Sequence, residues 1–535
     1  VTAAALAPSG SRAGANPWVV AAIVIVPTFM EVLDTTIAVV ALRYIAGGIS
    51  AANIDSEWVL TSYLAANATI LPITGWLSAQ LGRRNYFLLS IAVFTLSSAL
   101  CGIAGSLGQL ILFRVIQGLA GGGLQPSSQG VLLDAFPPEK QGVAMTLFGL
   151  AALIAPVVGP TLGGWITDEY NWRWVFLINV PVGLLALGAC YATLRDPDYL
   201  VAQRQELRKR PFQFDSIGLS LLVIVMVSWE VMLSKGQEWD WLGDPSWRVQ
   251  ILAICFVVGL VALVVWELRH KSPVVNFRPL RERNFALCCI IISCAYAALY
   301  GASTSLPGLL QSLFGYDALG AGIVMSPGGI FAVLAMPIVG ISLGRGADAR
   351  WLIAAGLLGM TAGNYWMSQM NLTISPGEVV WPRVVMVAGL AICFAPANVA
   401  AYLYTPKELR GAAVGLLSLL RNEGGSVGTS MAQTLNERRD QFHTLRLGEY
   451  LDPFNAAAQS FLSGARAFFL QQTADPVMAQ QLAVQALANL RQQQASALAY
   501  FDSFWTFAAV TFALVFLVLL MKRSVAEKGA RIASE

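Results

Sequence analysis

The chain has 535 residues, 56% of them hydrophobic and only 12% charged, with a net charge of +3. Soluble domains carry about 25% charged residues, so this composition excludes an ordinary soluble domain, and no nucleic-acid partner is expected. A bilayer crossing needs about 20 mostly apolar residues, and an integral membrane protein is the class that remains.

Fourteen apolar runs qualify, at 18–42, 57–78, 86–105, 108–133, 142–166, 174–194, 215–234, 247–266, 285–311, 319–343, 351–370, 379–404, 412–435 and 501–521. They are called spans one to fourteen. Residues 1–17 form an Ala/Ser/Gly-rich tail without the three-part pattern of a signal peptide, so span one is expected to act as an uncleaved anchor. Six spans fill 18–194, a basic linker follows at 195–214, and two spans occupy 215–266. A second basic segment at 267–284 leads into six more spans over 285–521, and a short tail closes the chain at 522–535. The clusters Arg204–Arg208–Lys209–Arg210 and Arg269–Lys271–Arg278–Arg281–Arg283 place these linkers, and with them both termini, in the cytoplasm.

All seven cysteines lie in apolar runs, and the two histidines, His270 and His443, lie in loops; no disulfide framework and no metal site is expected. Pro27, Pro72, Pro156, Pro160, Pro327, Pro337 and Pro396 fall inside spans, where neighbouring groups must satisfy the freed carbonyls. Segment 436–500 is the one sizeable element outside the apolar runs. Its Asp475–Pro476 reads as a helix cap followed by Pro at the first helical position, and Val477, Met478, Leu482, Leu487 and Leu490 recur at near-helical spacing. An external amphipathic helix follows from that pattern, either a docking surface or a cap on the membrane face.

Several motifs mark the spans. Gly75-Trp-Leu-Ser-Ala-Gln-Leu-Gly-Arg-Arg84 joins spans two and three, with Gly75 and Gly82 permitting close packing and Arg83 and Arg84 able to cap helices or pair with acids. Span four carries Arg114-Val-Ile-Gln117-Gly118, and span five carries Pro156-Val-Val-Gly159-Pro160-Thr-Leu-Gly163-Gly164. Trp172-Arg-Trp leads through Asn179-Val-Pro-Val-Gly183 into span six. Leu33-Asp-Thr-Thr36, Asp215-Ser-Ile-Gly218 and Ser418-Leu-Leu-Arg-Asn-Glu-Gly-Gly-Ser-Val-Gly428 mark spans one, seven and thirteen.

Taken in order, these residues resemble the fourteen-span drug:proton antiporters of the major facilitator superfamily, within them the EmrB branch. The resemblance covers essentially the whole chain. It implies an all-α membrane protein built from two six-helix bundles plus two inserted helices, fourteen transmembrane helices in all, with one long periplasmic loop. It also implies a proton-coupled multidrug efflux permease of the bacterial inner membrane that exports amphiphilic compounds by alternating access. No cofactor is needed beyond the proton gradient. The EmrB branch further implies an EmrA-like periplasmic membrane-fusion adaptor and a TolC-like outer-membrane channel as partners, reached through 436–500. One position departs from the pattern: Ala79 stands where the superfamily commonly has Asp, so Arg83 needs another acid, with Asp134 and Glu139 the nearest in sequence.

Charges inside the spans are costly and are functional candidates by default. Asp34 lies nine residues before Arg43, about 14 Å from that end of span one, and Arg114 lies five residues after Gln109, about 8 Å in from the same side. Spans one and four adjoin in the fold this chain resembles, which makes Asp34–Arg114 the candidate proton-coupling pair; a permanent ion pair fixing the two spans is the alternative. Glu31 is one turn from Asp34 and either joins the coupling or attracts a cationic substrate. Arg421 is near the middle of span thirteen, with Glu423 two residues on and so on a different face. Arg383 and Glu230 lie near span ends, where snorkelling to the headgroups accounts for them. Tyr63, Asn67, Gln125, Tyr296, Tyr300, Gln311, Phe394 and Asn398, with Arg421 and Glu423, are candidates to line a central substrate cavity, through stacking and cation–π contact for the aromatics. Single aromatics in spans also serve as packing.

No GxxxxGK[ST] run offers an ATP site, and neither a filter ring nor a clustered catalytic constellation favours a channel or a membrane-embedded enzyme. A proton-coupled transporter of one metabolite is the nearer alternative.

Overall fold

A computed structural model describes residues 16–137, 140–197, 200, 201, 204, 205, 215–270, 273–316, 318–372, 375–406, 409–452 and 454–524. The tail before Asn16, most of linker 195–214, Lys271, Glu139 and the residues after Ser524 lie outside this set. Among the described residues the chain is helical, without strands, and ten helices are long and apolar enough to cross a membrane by length and composition. The other four spans are helices too. Span two is Trp58–Ile70 and Thr74–Leu81, broken around Pro72; spans five, eleven and thirteen are Gln141–Glu169, Ala349–Ser368 and Arg410–Gly448.

Polar residues just ahead of the apolar runs start the helices. The Asn16 side chain accepts from the Trp18 N–H with Pro17 at the first position, and Ser106, Asp215 and Asp348 do the same for spans four, seven and eleven. Ser375 and Glu378 form a capping box on span twelve. Such caps each contribute about 1 kcal/mol by satisfying orphan N–H groups at a helix start.

Spans one to six pack among themselves, and so do spans nine to fourteen. In a membrane, helices gain little from hydrophobic exclusion and associate through close packing at small residues. Glycines supply that here. A Cβ on Gly424 or Gly428 of span thirteen would stand 2.1 and 2.0 Å from the carbonyl oxygens of Ser293 and Ala297 on span nine. Spans eleven and twelve meet through Gly356, Gly363 and Gly389 in the same way. In the first half, Gly159 and Gly163 of span five lie on Thr36 and Ile37 of span one, and Gly118 of span four lies on the Tyr63 carbonyl of span two. Gly164 is buried beside them.

The halves meet along two seams. Spans five and ten touch where Gly322 lies against Thr161, and spans two and thirteen touch where Gly75 lies against the Gly411 backbone and Gly415 against the Leu71 carbonyl. The inserted span seven, Ser216–Lys235, packs on both span two and span thirteen, covering the second seam. Span eight, Arg248–Arg269, leans mainly on span seven and leaves Ile251, Ile254, Val257, Val258 and Val261 exposed, a lipid-facing surface.

Segment 436–500 is not an open loop. Span thirteen continues to Gly448, a separate helix covers Ala456–Thr473, and Pro476–Leu519 is one helix that contains both the expected amphipathic stretch and span fourteen. Between Asn436 and Leu447 no Pro or Gly interrupts the helix, and Asp475 caps the long one as its sequence implies. At 1.5 Å per residue these 39- and 44-residue helices run about 58 and 66 Å, well beyond a hydrocarbon core of roughly 30 Å. Their projecting ends are pinned together: Asp440 accepts from Gln492 and from Ser496 at 2.6 Å, and Asp502 meets Arg439 at 2.5 Å and His443 at 2.7 Å.

The span nine–thirteen contact generates a prediction. Gly428→Leu places a side chain where only backbone stands, and overpacking costs ~1–3 kcal/mol where side chains can give and more where they cannot. The variant is expected to lose monodisperse folded protein, or to melt well below wild type, in a detergent thermal-shift assay; Gly188→Leu, which has nothing within 4 Å of its Cβ, is expected to behave like wild type.

Candidate functional site

Span one passes through the centre of the first half and carries two buried carboxylates one turn apart. Asp34 is enclosed by spans three, four and six. Its Oδ2 accepts from the Arg114 guanidinium at 2.5 Å, and both side chains are fully buried. Its Oδ1 accepts from Gln117 Nε2 at 3.0 Å and Asn179 Nδ2 at 2.8 Å. Ser98 on span three stands behind these amides, within 3.2 Å of Gln117 and 3.1 Å of Asn179, and passes its own proton to the Phe176 carbonyl at 2.8 Å. The carboxylate is thus held by three donors from two helices, each oriented in turn.

Arg114 is bound independently of Asp34. Its Nε donates to the Val59 carbonyl at 3.1 Å and its NH1 also reaches Gln117 Oε1 at 2.8 Å. The guanidinium carbon sits 4.2 Å from the Tyr63 ring centre and 5.5 Å from that of Phe176, a cation–π environment. If Asp34 takes up a proton, the arginine keeps a carbonyl, an amide oxygen and a π face. A carboxylate whose charge can be withdrawn without stranding its cation is what reversible protonation in a membrane requires.

Glu31 belongs to a separate network. Asn67 donates to Oε1 at 3.0 Å, the Tyr63 hydroxyl lies 3.4 Å from the same atom, and Gln125 donates to Oε2. The other end of the Gln125 amide accepts from Arg421 of span thirteen. Glu31 is therefore tied through one amide to a cation in the opposite half. Asn422 extends the bridge by donating to Asn67 Oδ1 at 3.2 Å. Arg421 also lies 5.7 Å from the ring centres of both Phe148 and Tyr296. Around it Phe394 stacks on Phe148, Tyr296 lies between Phe394 and the half-buried Tyr300, and Gln129 donates to Asn398 at 2.7 Å across the two halves. Ten side chains from both halves thus surround one buried region: Glu31, Tyr63, Asn67, Gln125, Gln129, Phe148, Tyr296, Phe394, Asn398 and Arg421.

Two cavity candidates lie elsewhere. Gln311 is exposed near the end of span nine, three turns beyond Tyr300. Glu423 is turned from Arg421 by the two-residue offset and faces Glu230 of span seven. Nor do Glu230 and Arg383 snorkel: both are buried, because they face neighbouring helices and not lipid, Glu230 accepting from Ser426 at 3.0 Å and Arg383 donating to Ser303 at 2.8 Å.

At the turn between spans two and three, Arg83 pairs with Asp134 and donates to the Gly130 carbonyl at 3.0 Å, so Asp134 supplies the acid that Ala79 does not. The other candidate, Glu139, is outside the described residues. Arg84 donates to the Tyr191 carbonyl at 2.9 Å. Gly82 has φ of +88°, where a side chain would be strained and would meet the Asp196 carboxylate. Pro156 and Pro160 lie within the span-five helix. Ser98 and Gln129 are functional neighbours that the sequence reading missed; Gln129 follows Gln125 by four residues on one helix face, a signal that was available.

The profile of the Major Facilitator Superfamily matches residues 24–429. The chain belongs to the major facilitator superfamily. Among its relatives, "Multidrug export protein EmrB" of Escherichia coli (strain K12) is 38% identical over 465 residues, covering 86% of this chain and 88% of that one. "Fatty acid resistance protein FarB" of Neisseria gonorrhoeae is 35% identical over 428 residues, 80% and 82% of the two chains. "Colistin resistance protein EmrB" of Acinetobacter baumannii is 27% identical over 506 residues, 95% and 96%. In fold the chain is similar to the human organic anion transporter MFSD10, with a TM-score of 0.57 at 14% identity over 94% of this chain and 99% of that one. The proton:xylose symporter XylE gives the same TM-score at 11% identity, over 94% and 95%. As a multi-pass member of this superfamily the protein is a transporter.

Arg114→Ala leaves Asp34 buried without its cation, and breaking such a pair costs ~3–5 kcal/mol. A marked fall in detergent melting temperature is expected, with Arg114→Lys intermediate because an ammonium cannot span Asp34, Gln117 and the Val59 carbonyl at once. Ser98→Ala removes an orienting hydroxyl and is expected to cost ~1 kcal/mol on the same scale.

Proposed function

We propose that this chain is a proton-driven multidrug efflux permease of a bacterial inner membrane, with both termini cytoplasmic. The observation that carries the reading is the Asp34–Arg114 pair, sealed in the membrane yet built so that Arg114 keeps its other contacts when Asp34 is neutral. Protons enter from the outer face to Asp34 and leave on the inner side after the halves rearrange, while an amphiphilic compound moves outward. Glu31 and Arg421, joined by Gln125 across the halves, give the substrate region both charge signs beside the rings of Phe148, Tyr296 and Phe394. Relatives named for multidrug export, fatty acid resistance and colistin resistance support a cargo of amphiphiles without one fixed structure.

The test is Asp34→Asn in inside-out vesicles. The amide is isosteric and should leave the fold intact, while pH-gradient-driven uptake of a fluorescent cationic amphiphile is expected to fall to background. Uptake near the wild-type rate would refute the coupling assignment.

The projecting helices support the further proposal that the permease docks an EmrA-like periplasmic adaptor leading to a TolC-like outer-membrane channel. Phe454, Leu445, Tyr450, Phe468, Val477 and Val484 are exposed on this projection, well clear of any bilayer-spanning length. Isolated apolar residues are unremarkable on a surface, but this many on one projection call for a covering surface. Replacing 451–474 with a short Gly/Ser linker keeps the Asp440, His443 and Asp502 contacts that pin the long helices. Vesicle transport is expected to persist while whole-cell resistance and co-purification with the adaptor are lost; full resistance would show that the projection is only a lid.

A further inference from the structure

Glu230 and Glu423 are a pair of buried acids that the coupling mechanism does not use. Glu230 sits in the inserted span seven with 2% exposure and Glu423 in span thirteen with 8%, and their carboxyl groups lie within hydrogen-bonding reach of each other. One donor is in place on Glu230, Ser426 Oγ on Oε1 at 3.0 Å, and the Trp229 indole is turned toward the Glu423 carboxyl. Among the described residues no donor meets hydrogen-bond geometry at Glu230 Oε2 or at either oxygen of Glu423.

The neighbouring charges are committed elsewhere. On span seven, Lys235 is bonded to Glu57 and Glu238, and Asp215 caps the opposite end. On span eight, Arg248 holds Asp244 and Glu267 accepts from the Val275 N–H. On span thirteen, Arg421 donates to Gln125, Glu437 accepts from Gln237, and Arg438 and Arg439 pair with Asp240 and Asp502. On span four, Arg114 pairs with Asp34 and Asp134 with Arg83, and on span fourteen Asp502 faces away to Arg439 and His443. Two carboxylates in contact without a cation cannot both be ionised, and a proton between them supplies the missing donor.

We propose that Glu230 and Glu423 share one proton and form a second proton-carrying site of this transporter, seated where span seven closes over the seam between spans two and thirteen. This rests on the proton-driven reading above. With the proton bound, one O–H···O bond joins the inserted helix to the second half. Loss of that proton to water leaves two anions in contact, whose repulsion releases span thirteen from span seven; no other bond forms or breaks. Span thirteen also carries Gly411, Gly415 and Asn422, which meet span two, so the same release loosens the seam between the halves. The inserted pair thereby becomes part of the coupling machinery.

The experiment uses full-length protein in proteoliposomes with tetraphenylphosphonium as the transported probe, reading the proton:substrate ratio from the reversal potential. Glu230→Gln and Glu423→Gln are each expected to transport more slowly, because a neutral amide cannot release span thirteen by repulsion, and with the ratio lowered by one; the double variant is expected to match the singles. An unchanged ratio in both singles, or a fall of two in the double, overturns the shared proton. A second measurement needs no variant: dicyclohexylcarbodiimide, which attacks protonated buried carboxyls, is expected to label Glu230 or Glu423 of wild type at neutral pH, read by peptide mass spectrometry. Absence of that label overturns the proposal even if the variants fail to fold. If Asp34→Asn pumps normally, proton coupling as a whole fails; if it is inactive while the ratio is untouched by the glutamine variants, only this pair fails.

Discussion

Everything in the first half is arranged around one carboxylate that has no water to turn to. A charge at the centre of a bilayer costs at least ~2.5–3.5 kcal/mol, and Asp34 meets that cost with three donors drawn from spans four and six. Those donors dictate the rest. Gln117 and Arg114 must lie one turn apart on span four, Ser98 must stand behind the amides on span three, and Val59 must offer its carbonyl where span two passes. Gly118, adjacent to Gln117, lets span four come close enough to span two for that carbonyl to be reached. The RxxQG motif is thus a chemical unit: its cation and amide bind the acid, and its glycine sets the distance.

The two acids of span one divide the work by one helical turn. Asp34 faces inward to its own half, whereas Glu31 reaches Gln125 and through it Arg421 of the other half. On the proposed reading a change of protonation at Asp34 would act on its donors on spans four and six, and a change at Glu31 would act across the seam. Span four carries partners of both. The break at Gly122–Gly123, between Gln117 and Gln125, gives that helix a place to flex.

Much of this was legible in the sequence because membrane physics leaves few readings open. Fourteen apolar runs, the cap at Asp475, and the depths of Asp34 and Arg114 are properties of local sequence and of length. The pairing of those two residues followed from depth plus the adjacency of spans one and four that the family resemblance implies. What was not legible depends on helix rotation. Gln311 has the same chemistry as Gln125 but lies beyond the membrane-buried part of its helix; Glu230 and Arg383 lie near span ends, as snorkelling residues do, yet face neighbours and not lipid. Ser98 is one hydroxyl among many in span three until Asn179 and Gln117 are seen converging on it. The long helices through 436–500 were half visible: the cap at Asp475 marked a start, but the low apolarity of the stretch hid its continuity with span fourteen.

The second half differs from the first in what its buried charges lack. Arg114 has a carboxylate, whereas among the described residues Arg421 has only an amide oxygen and two aromatic faces, and Arg383 only a hydroxyl, its Nε and NH1 having no partner there. An arginine cannot discard its proton, so a buried one without a counter-ion is stabilised when an anion arrives. On the proposed reading the acid sites that take up protons are Asp34 in span one and the span seven–thirteen contact, while Arg383 and Arg421, which have no carboxylate partner among the described residues, lie in spans twelve and thirteen. That asymmetry separates the proton's path, which needs carboxylates, from the cargo's surroundings, which need rings and a mixture of signs. On that reading cargo of different charge can share one site, because the rings and Arg421 that would meet it are distinct from Asp34, which would titrate.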